Sequence, residues 1–347
     1  MSKEFLETAG TWVLLAPVKN VVLTKRSGWT YRIDRTQLVA SRSLPHRWRQ
    51  LGLPARVSEL KKGGGWFLER FFEGVHTFIT ARKAGVGTDV EPELVKLAEE
   101  ELAILAMSQL GFAKRHSVGV PYLSHDGVVE SRSYLLVNSE NVSWTQPNKT
   151  VNSVDTLSLN ARWRTFAKDA FFEDLLKILR SEIKVSRSWR QDLRNASILV
   201  GQSQCTTDLP MAFLRNMIAL ELLVTKQEES VSEALPSRGE AFLGWVAQWT
   251  SSAYPQRIKD AYQKRCLLVH QGKRDAITIE DVYFTDDLIL NLLNNICGHI
   301  HLFPNKDAVI EFSKKVEAER LLELDGAVRP KTLSFIQRHY SSRDLEG

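Results

Sequence analysis

Arg265 and His270 are the side chains of this sequence whose types and spacing suit a shared chemistry. They stand in Tyr254 to Asp275, which reads Tyr-Pro-Gln-Arg-Ile-Lys-Asp-Ala-Tyr-Gln-Lys-Arg-Cys-Leu-Leu-Val-His-Gln-Gly-Lys-Arg-Asp. An unperturbed imidazole titrates near pH 6.5, so it can take up or release a proton at neutral pH. A guanidinium stays charged and offers a planar fork of donors to phosphate oxygens. Together the two can move a proton and stabilise charge growing on phosphorus. Cys266 follows the arginine directly, and a thiol beside a guanidinium can gain thiolate character. Lys259, Lys264, Lys273 and Arg274 surround the pair, opposed by Asp260 and Asp275. Such a patch attracts phosphates in a salt-sensitive way. The alternative is an ordinary charged helix face.

The segment itself predicts a helix. Pro255 suits its first turn, Ile258, Ala261, Tyr262 and Leu268 face inward, and Gly272 supplies a left-handed stop. Five residues along a helix turn about 500°, so Arg265 and His270 do not share a face. They converge within one chain only if it unwinds near Gln271-Gly272.

Other constellations carry less. Cys297, His299 and His301 have a ligand-like look, but alternate residues of a helix point about 200° apart and would not share a metal. Arg70 and His76 repeat the Arg–His theme, yet Gly63-Gly64-Gly65 and Gly74 place them outside a helical bundle. In Lys61-Lys62-Gly63-Gly64-Gly65 the lysines precede the glycines, which makes a loop rather than a phosphate-cradling P-loop. Glu99-Glu100-Glu101 reads as a solvated helix face, and Arg187, Arg190 and Arg194 around Trp189 as a surface helix with a buried tryptophan. No serine-hydrolase, kinase or dinucleotide fingerprint is present.

The chain has 347 residues, 43% hydrophobic and 25% charged, a globular mix that suits about two domains. Its net charge of +5 permits a polyanionic partner without demanding one. Cys205, Cys266 and Cys297 form no CxxC pair, which argues against a disulfide framework or a zinc knuckle. No signal-like start and no bilayer-length apolar run occur, so a cytoplasmic protein with no membrane partner is expected.

The expected fold class is α+β. Trp12 to Leu23 and Trp29 to Val39 read as strands, and Ser41 to Pro54 as a loop. Val118 to Leu123 and Val128 to Val137 read as a hairpin around Asp126-Gly127. One long helix, Glu93 to Leu110, starts at Pro92 and stops at Gly111. Ser139 to Ser158 is polar and reads as a linker. Helical patterns follow over Leu159 to Lys184, Arg187 to Arg194, Met211 to Lys226, Arg238 to Thr250, Tyr254 to Val269, Leu288 to Leu302 and Ala308 to Leu324. Residues 1–150 thus form a β-rich domain with one long helix, and 151–347 an all-helical bundle.

Arg265-Cys-Leu-Leu-Val-His270 has the Arg-x4-His form of HEPN domains, the helical bundles of many prokaryotic defence and toxin ribonucleases. Its surroundings resemble the Apea-like HEPN group: a preceding Ile218-Ala-Leu-Glu-Leu-Leu223 helix that includes Glu221, a glycine soon after the histidine, and a closing helix over Asp287 to Ile296. The similarity covers Met211 to Leu302, and a β-containing front also matches that group's layout. The resemblance implies a metal-independent endoribonuclease without cofactor, acting as a toxin or antiphage-defence effector. Arg265 and His270 would be catalytic and Lys264, Lys273 and Arg274 would hold RNA, with Glu221 and Cys266 beside the motif. The RNA 2′-hydroxyl would attack the adjacent phosphate, leaving a 2′,3′-cyclic phosphate and a 5′-hydroxyl. Two subunits of a homodimer would build one composite cleft. Residues 1–150 would be a sensing or specificity domain, answering a protein or phage-derived trigger. Active members usually carry a polar residue after the motif arginine, where this chain has Cys266. The alternative is therefore a catalytically inactive HEPN-like module that binds RNA or protein.

Overall fold

The computed structural model describes residues 6–25, 28–53, 56–63, 71–115, 117–123, 135–138, 142–144, 156–226, 228–243, 254–322, 333–336, 338 and 340–341. The fold is mixed α+β: an antiparallel sheet with one long helix, then a helical region. Two compact units emerge, residues 1–106 with 113–165, and residues 107–112 with 166–347. No helix among the described residues is long and apolar enough to cross a membrane.

In the first unit, β1 (Ala9–Lys19) is the central strand. It pairs antiparallel with β5 (Thr77–Val86) from Ala9↔Val86 to Val18↔Thr77. β4 (Gln37–Ala40) and β3 (Thr30–Arg32) extend the sheet beyond β5. β2 (Val21–Leu23) leaves it and pairs in parallel with β9 (Leu157–Leu159). Both faces of β1 are buried. Val13 and Leu15 pack with Val39, Phe78, Leu44 and Leu51, under the segment holding α1 (Leu44–Arg47) and α2 (Val57–Gly63). Trp12 and Leu14 face the other side, where α3 (Gly87–Met107) runs. Lys83, opposite Trp12 in the register, forms an ion pair with Glu93 of α3.

Several expectations change here. α3 begins at Gly87, so Pro92 lies inside it rather than at its start. A Cβ at Gly87 would come within 2.7 Å of both the Trp12 ring and the Leu6 carbonyl oxygen, so only glycine lets the helix start so close to the sheet. Gly111 takes a φ of +83° beyond the helix end, as a stop requires. Ser41 to Pro54 holds the short helix α1, and Lys61 to Gly63 belong to α2; Gly64 and Gly65 lie outside the described residues. The strands around Asp126-Gly127 are β6 (Tyr122–Leu123) and β7 (Leu135–Val137). Both pair with β1, at Val18–Lys19 and Val13–Leu15, and the turn itself lies outside the described residues. The polar stretch expected as a linker carries β8 (Val142–Trp144), paired with β7, and most of β9.

Glu101 overturns the solvated reading of the Glu99-Glu100-Glu101 run. It is 0% exposed. Its Oε2 accepts from the Asp34 and Thr36 amides, both at 3.0 Å, and from the Thr36 hydroxyl at 2.8 Å, while Oε1 accepts from the Arg35 amide at 2.9 Å. One carboxylate thus satisfies the donors of the β3–β4 turn that the strands leave unpaired.

The second unit is helical. Its elements are the end of α4 (Ala161–Asp169), then α5 (Phe172–Leu179), α6 (Arg187–Gln204), α7 (Leu209–Val224), α8 (Val231–Ala241), α9 (Tyr254–Gln271), α10 (Ile279–Gly298) and α11 (Lys306–Leu321). Trp163 of α4 belongs with the first unit, edge-on to Tyr31 at 5.4 Å. Trp189 of α6 is fully buried, its indole N–H donating to the Phe303 carbonyl at 3.1 Å. Residues 244–250 of the expected Arg238 to Thr250 helix lie outside the described residues.

Arg238 of α8 grips Glu229 through two hydrogen bonds of 2.6 and 3.0 Å and also donates to the Val224 carbonyl. The Arg238 hydrogen bond is the main cause that lowers the Glu229 carboxyl to about 2 from its usual 4.5. A depressed carboxyl contributes stability above its unfolded pKa and loses it as pH falls towards the folded one. Glu229→Gln should therefore cost about 2–3 kcal/mol near neutrality, a difference that shrinks from pH 4.5 down to about 2. Urea melts of both chains across that range check it.

Residues 333–336 lie along α10. The Asn295 side chain accepts from the Ser334 amide at 2.9 Å and donates to the Ser334 carbonyl at 2.8 Å. Asn291 does the same for Ile336 at 2.7 and 3.1 Å. Positions four apart on a helix rise about 6 Å, and alternate residues of an extended chain advance about 6.6 Å, so the two repeats match. Asp287, one turn earlier, takes Arg338 and the Tyr340 hydroxyl, and Tyr340 stacks on Tyr283 at 4.2 Å. The asparagines read backbone only, so Asn291→Ala with Asn295→Ala should release this segment whatever its sequence. Limited proteolysis after Leu333 should become at least tenfold faster; unchanged protection would show that the aromatic and ionic contacts suffice.

Candidate functional site

α9 runs unbroken from Tyr254 to Gln271, so His270 is helical and the chain does not unwind there. Gly272, at a φ of +65°, ends the helix, and the amides of Gly272 and Lys273 reach back to the Leu268 and Leu267 carbonyls at 3.1 and 3.3 Å. These bonds satisfy carbonyls that a helix end leaves open. Because the helix persists, Arg265 and His270 leave it about 140° apart and do not converge within one chain.

Arg265 is held on the inner side. Its Nε lies 3.2 Å from Oε1 of Glu221 on α7, and its Nη2 lies 3.5 Å from Oε2. The closer contact is an ion pair by distance, but its angle is not that of a hydrogen bond, so Arg265 Nε and Glu221 Oε1 are buried without one. Burial pushes the Glu221 carboxyl up, and the Arg265 charge opposes that rise. The guanidinium sits 5.8 Å from the Tyr262 ring centre, within cation–π range. Tyr262 is pushed up by burial first and by the adjacent Cys266 next. Tyr262, Arg265, Cys266 and Glu221 therefore form one half-buried cluster. The sequence places Tyr262 inward but does not mark it as part of the motif; its spacing, three before Arg265 and four before Cys266, is the signal that could have done so.

His270 is exposed, and among the described residues it has no hydrogen-bond partner. Val269 beside it is 48% exposed. Of the helix's 18 residues only Ile258 and Ala261 are buried, whereas α10 buries most of its length. The half of α9 that carries the motif thus presents Leu267, Leu268 and Val269 at or near the surface.

The basic neighbours behave differently from one another. Lys264 lies 2.7 Å from both oxygens of Asp281, the carboxylate that closes the capping box of α10 with Thr278. Arg274 lies 2.7 Å from Asp208, the N-cap of α7, whose carboxyl it lowers. Both cations therefore brace helix starts. Lys273 is exposed and has no ion pair among the described residues. Cys297 is buried in α10, where desolvation pushes its thiol up, while His301 is exposed beyond the helix end. Among the described residues no group of three His, Cys, Asp or Glu side chains is arranged to hold a metal. Of the Arg70–His76 pair, His76 is exposed and Arg70 lies outside the described residues.

No protein-family model matches the chain, and no curated protein and no solved structure matches it.

Proposed function

We propose that the helical unit is a HEPN-type endoribonuclease that works without a metal, with Arg265 stabilising the reacting phosphate and His270 moving protons. The observation that carries this reading is the state of α9. It holds a half-buried arginine whose Nε is buried without a hydrogen bond on one side, and an exposed, unpartnered histidine in its last turn. Buried polar atoms without hydrogen-bond partners are uncommon in proteins, and clusters of interacting ionisable groups are candidate working sites. The 140° divergence means one chain does not complete the site. A second copy meeting the half-buried face of α9 would bring its own arginine and histidine, and Lys273 would add attraction for the RNA backbone.

A second reading has an observation of its own. Lys264 and Arg274 are neutralised by Asp281 and Asp208, and Cys266 follows the motif arginine. Both favour a catalytically inactive module that binds RNA or protein. The deciding experiment incubates the purified chain with RNA in excess EDTA and analyses the ends. Cleavage leaving 2′,3′-cyclic phosphate and 5′-hydroxyl ends is expected, with a dimer in light scattering. Intact RNA that is nevertheless bound selects the second reading.

A further inference from the structure

The sheet of the first unit leaves part of one face uncovered. The register sets Arg32 opposite Gln37 and Gln37 opposite Thr80. Arg82 lies two residues on from Thr80, opposite Val13. Directly paired and alternate residues share a face, so Arg32, Gln37, Thr80 and Arg82 lie on the side where Val13, Val39 and Phe78 meet the helical cover. Beside Gln50 and Leu51 of that cover a recess of about 350 Å³ opens. Val13 and Leu51 are apolar residues of its lining, and Arg32, Arg35, Arg82, Gln37 and Gln50 are polar ones.

No carboxylate is among its described lining residues. Arg35 has Asp34 beside it at 3.5 Å, and Arg32 Nε donates to the Asp34 carbonyl at 3.0 Å. The Arg82 side chain has no ion pair or hydrogen bond among the described residues. Among the described residues two buried acids lie at the 34–36 turn: Asp34, paired with Arg35, and Glu101, whose oxygens accept from the amides and hydroxyl of residues 34–36. The turn that carries Arg35 is thereby held by a side chain from α3. Among the described residues three guanidinium groups line the concavity and Asp34 pairs with one of them, so the lining keeps an excess of positive charge that favours a multiply charged anion. Planar arginine forks suit phosphate oxygens, and the volume lies within the range of small-ligand sites.

We propose that this recess binds the phosphate group of a nucleotide or of a nucleic-acid strand end. The inference does not rest on the ribonuclease reading, because the recess lies in the first unit and shares no residue with α9.

The test titrates the full chain at low salt by calorimetry with pyrophosphate, ATP, and one short oligoribonucleotide in 5′-phosphorylated and 5′-hydroxyl forms. Arg82→Gln removes a lining charge. Lys83→Gln removes the same charge from the opposite face of the same strand and serves as the control. Arg82 is exposed, so its replacement leaves the core intact; Arg32→Gln is the second variant. At least one phosphate probe should bind, and each arginine change should weaken it about tenfold or more, while Lys83→Gln and His270→Ala leave it unchanged. Binding of ATP and pyrophosphate identifies a nucleotide source. Binding of the 5′-phosphorylated strand alone identifies a strand end. Failure of all the phosphate probes, or an equal loss with Lys83→Gln, overturns the site.

Discussion

Replacing His270 by alanine should lower RNA cleavage by about 10²–10⁴-fold, the range that a positioned proton-transfer group supplies. The side chain is exposed and has no hydrogen-bond partner among the described residues, so the fold and its melting point should not change. RNA affinity should stay within about twofold, because no backbone cation is removed. Lys273→Ala should do the reverse, weakening binding and its salt dependence while bound RNA is still cut. Arg265→Ala is a less clean probe, since it strands the half-buried carboxylate of Glu221. A His270→Ala chain that cuts RNA as fast as the parent would remove the nuclease reading.

Replacing Glu101 by leucine should destabilise the chain by roughly 3–5 kcal/mol, the range for removing one partner from a buried charged network. The substitution strands three amides and a hydroxyl in a site that is 0% exposed. Glu101→Gln should cost less, about 2 kcal/mol, because its remaining oxygen can keep the three bonds at Oε2 while its amide nitrogen faces the Arg35 N–H. Against a typical total of about 5–15 kcal/mol, the leucine change threatens folding itself. Urea midpoints for the three chains measure the order. A leucine chain within about 0.5 kcal/mol of the parent would mean that the β3–β4 turn finds its donors other partners.

Glu101 also shows where reading residues in order stops. Three glutamates in a row in a helix point in three directions, and the charge pattern alone favours solvent for all of them. Which one turns inward depends on a turn 65 residues away presenting donors at that point of the helix. The basic patch repeats the lesson. Lys264 and Arg274 are clustered with the motif in sequence, but the acids that neutralise them, Asp281 and Asp208, sit at the starts of other helices. Nor does the local pattern contain the strap of Ser334 and Ile336 on Asn295 and Asn291, since an asparagine in a helix has many uses.

The sequence by itself determined the α+β division, the run of helices after it, the helix from Tyr254 and its glycine stop. Each follows from local periodicity, capping and turn chemistry, and those act within a few residues. It also placed Arg265 and His270 on one helix and implied, through the 3.6-residue repeat, that they diverge unless that helix unwinds. Only the tertiary structure decided that it does not unwind. It also decided that Arg265 lies against Glu221 while His270 stands in solvent, and that three arginines from neighbouring strands and a turn surround one recess. Those outcomes depend on packing between segments tens of residues apart, where the partner of a charge is chosen by the fold.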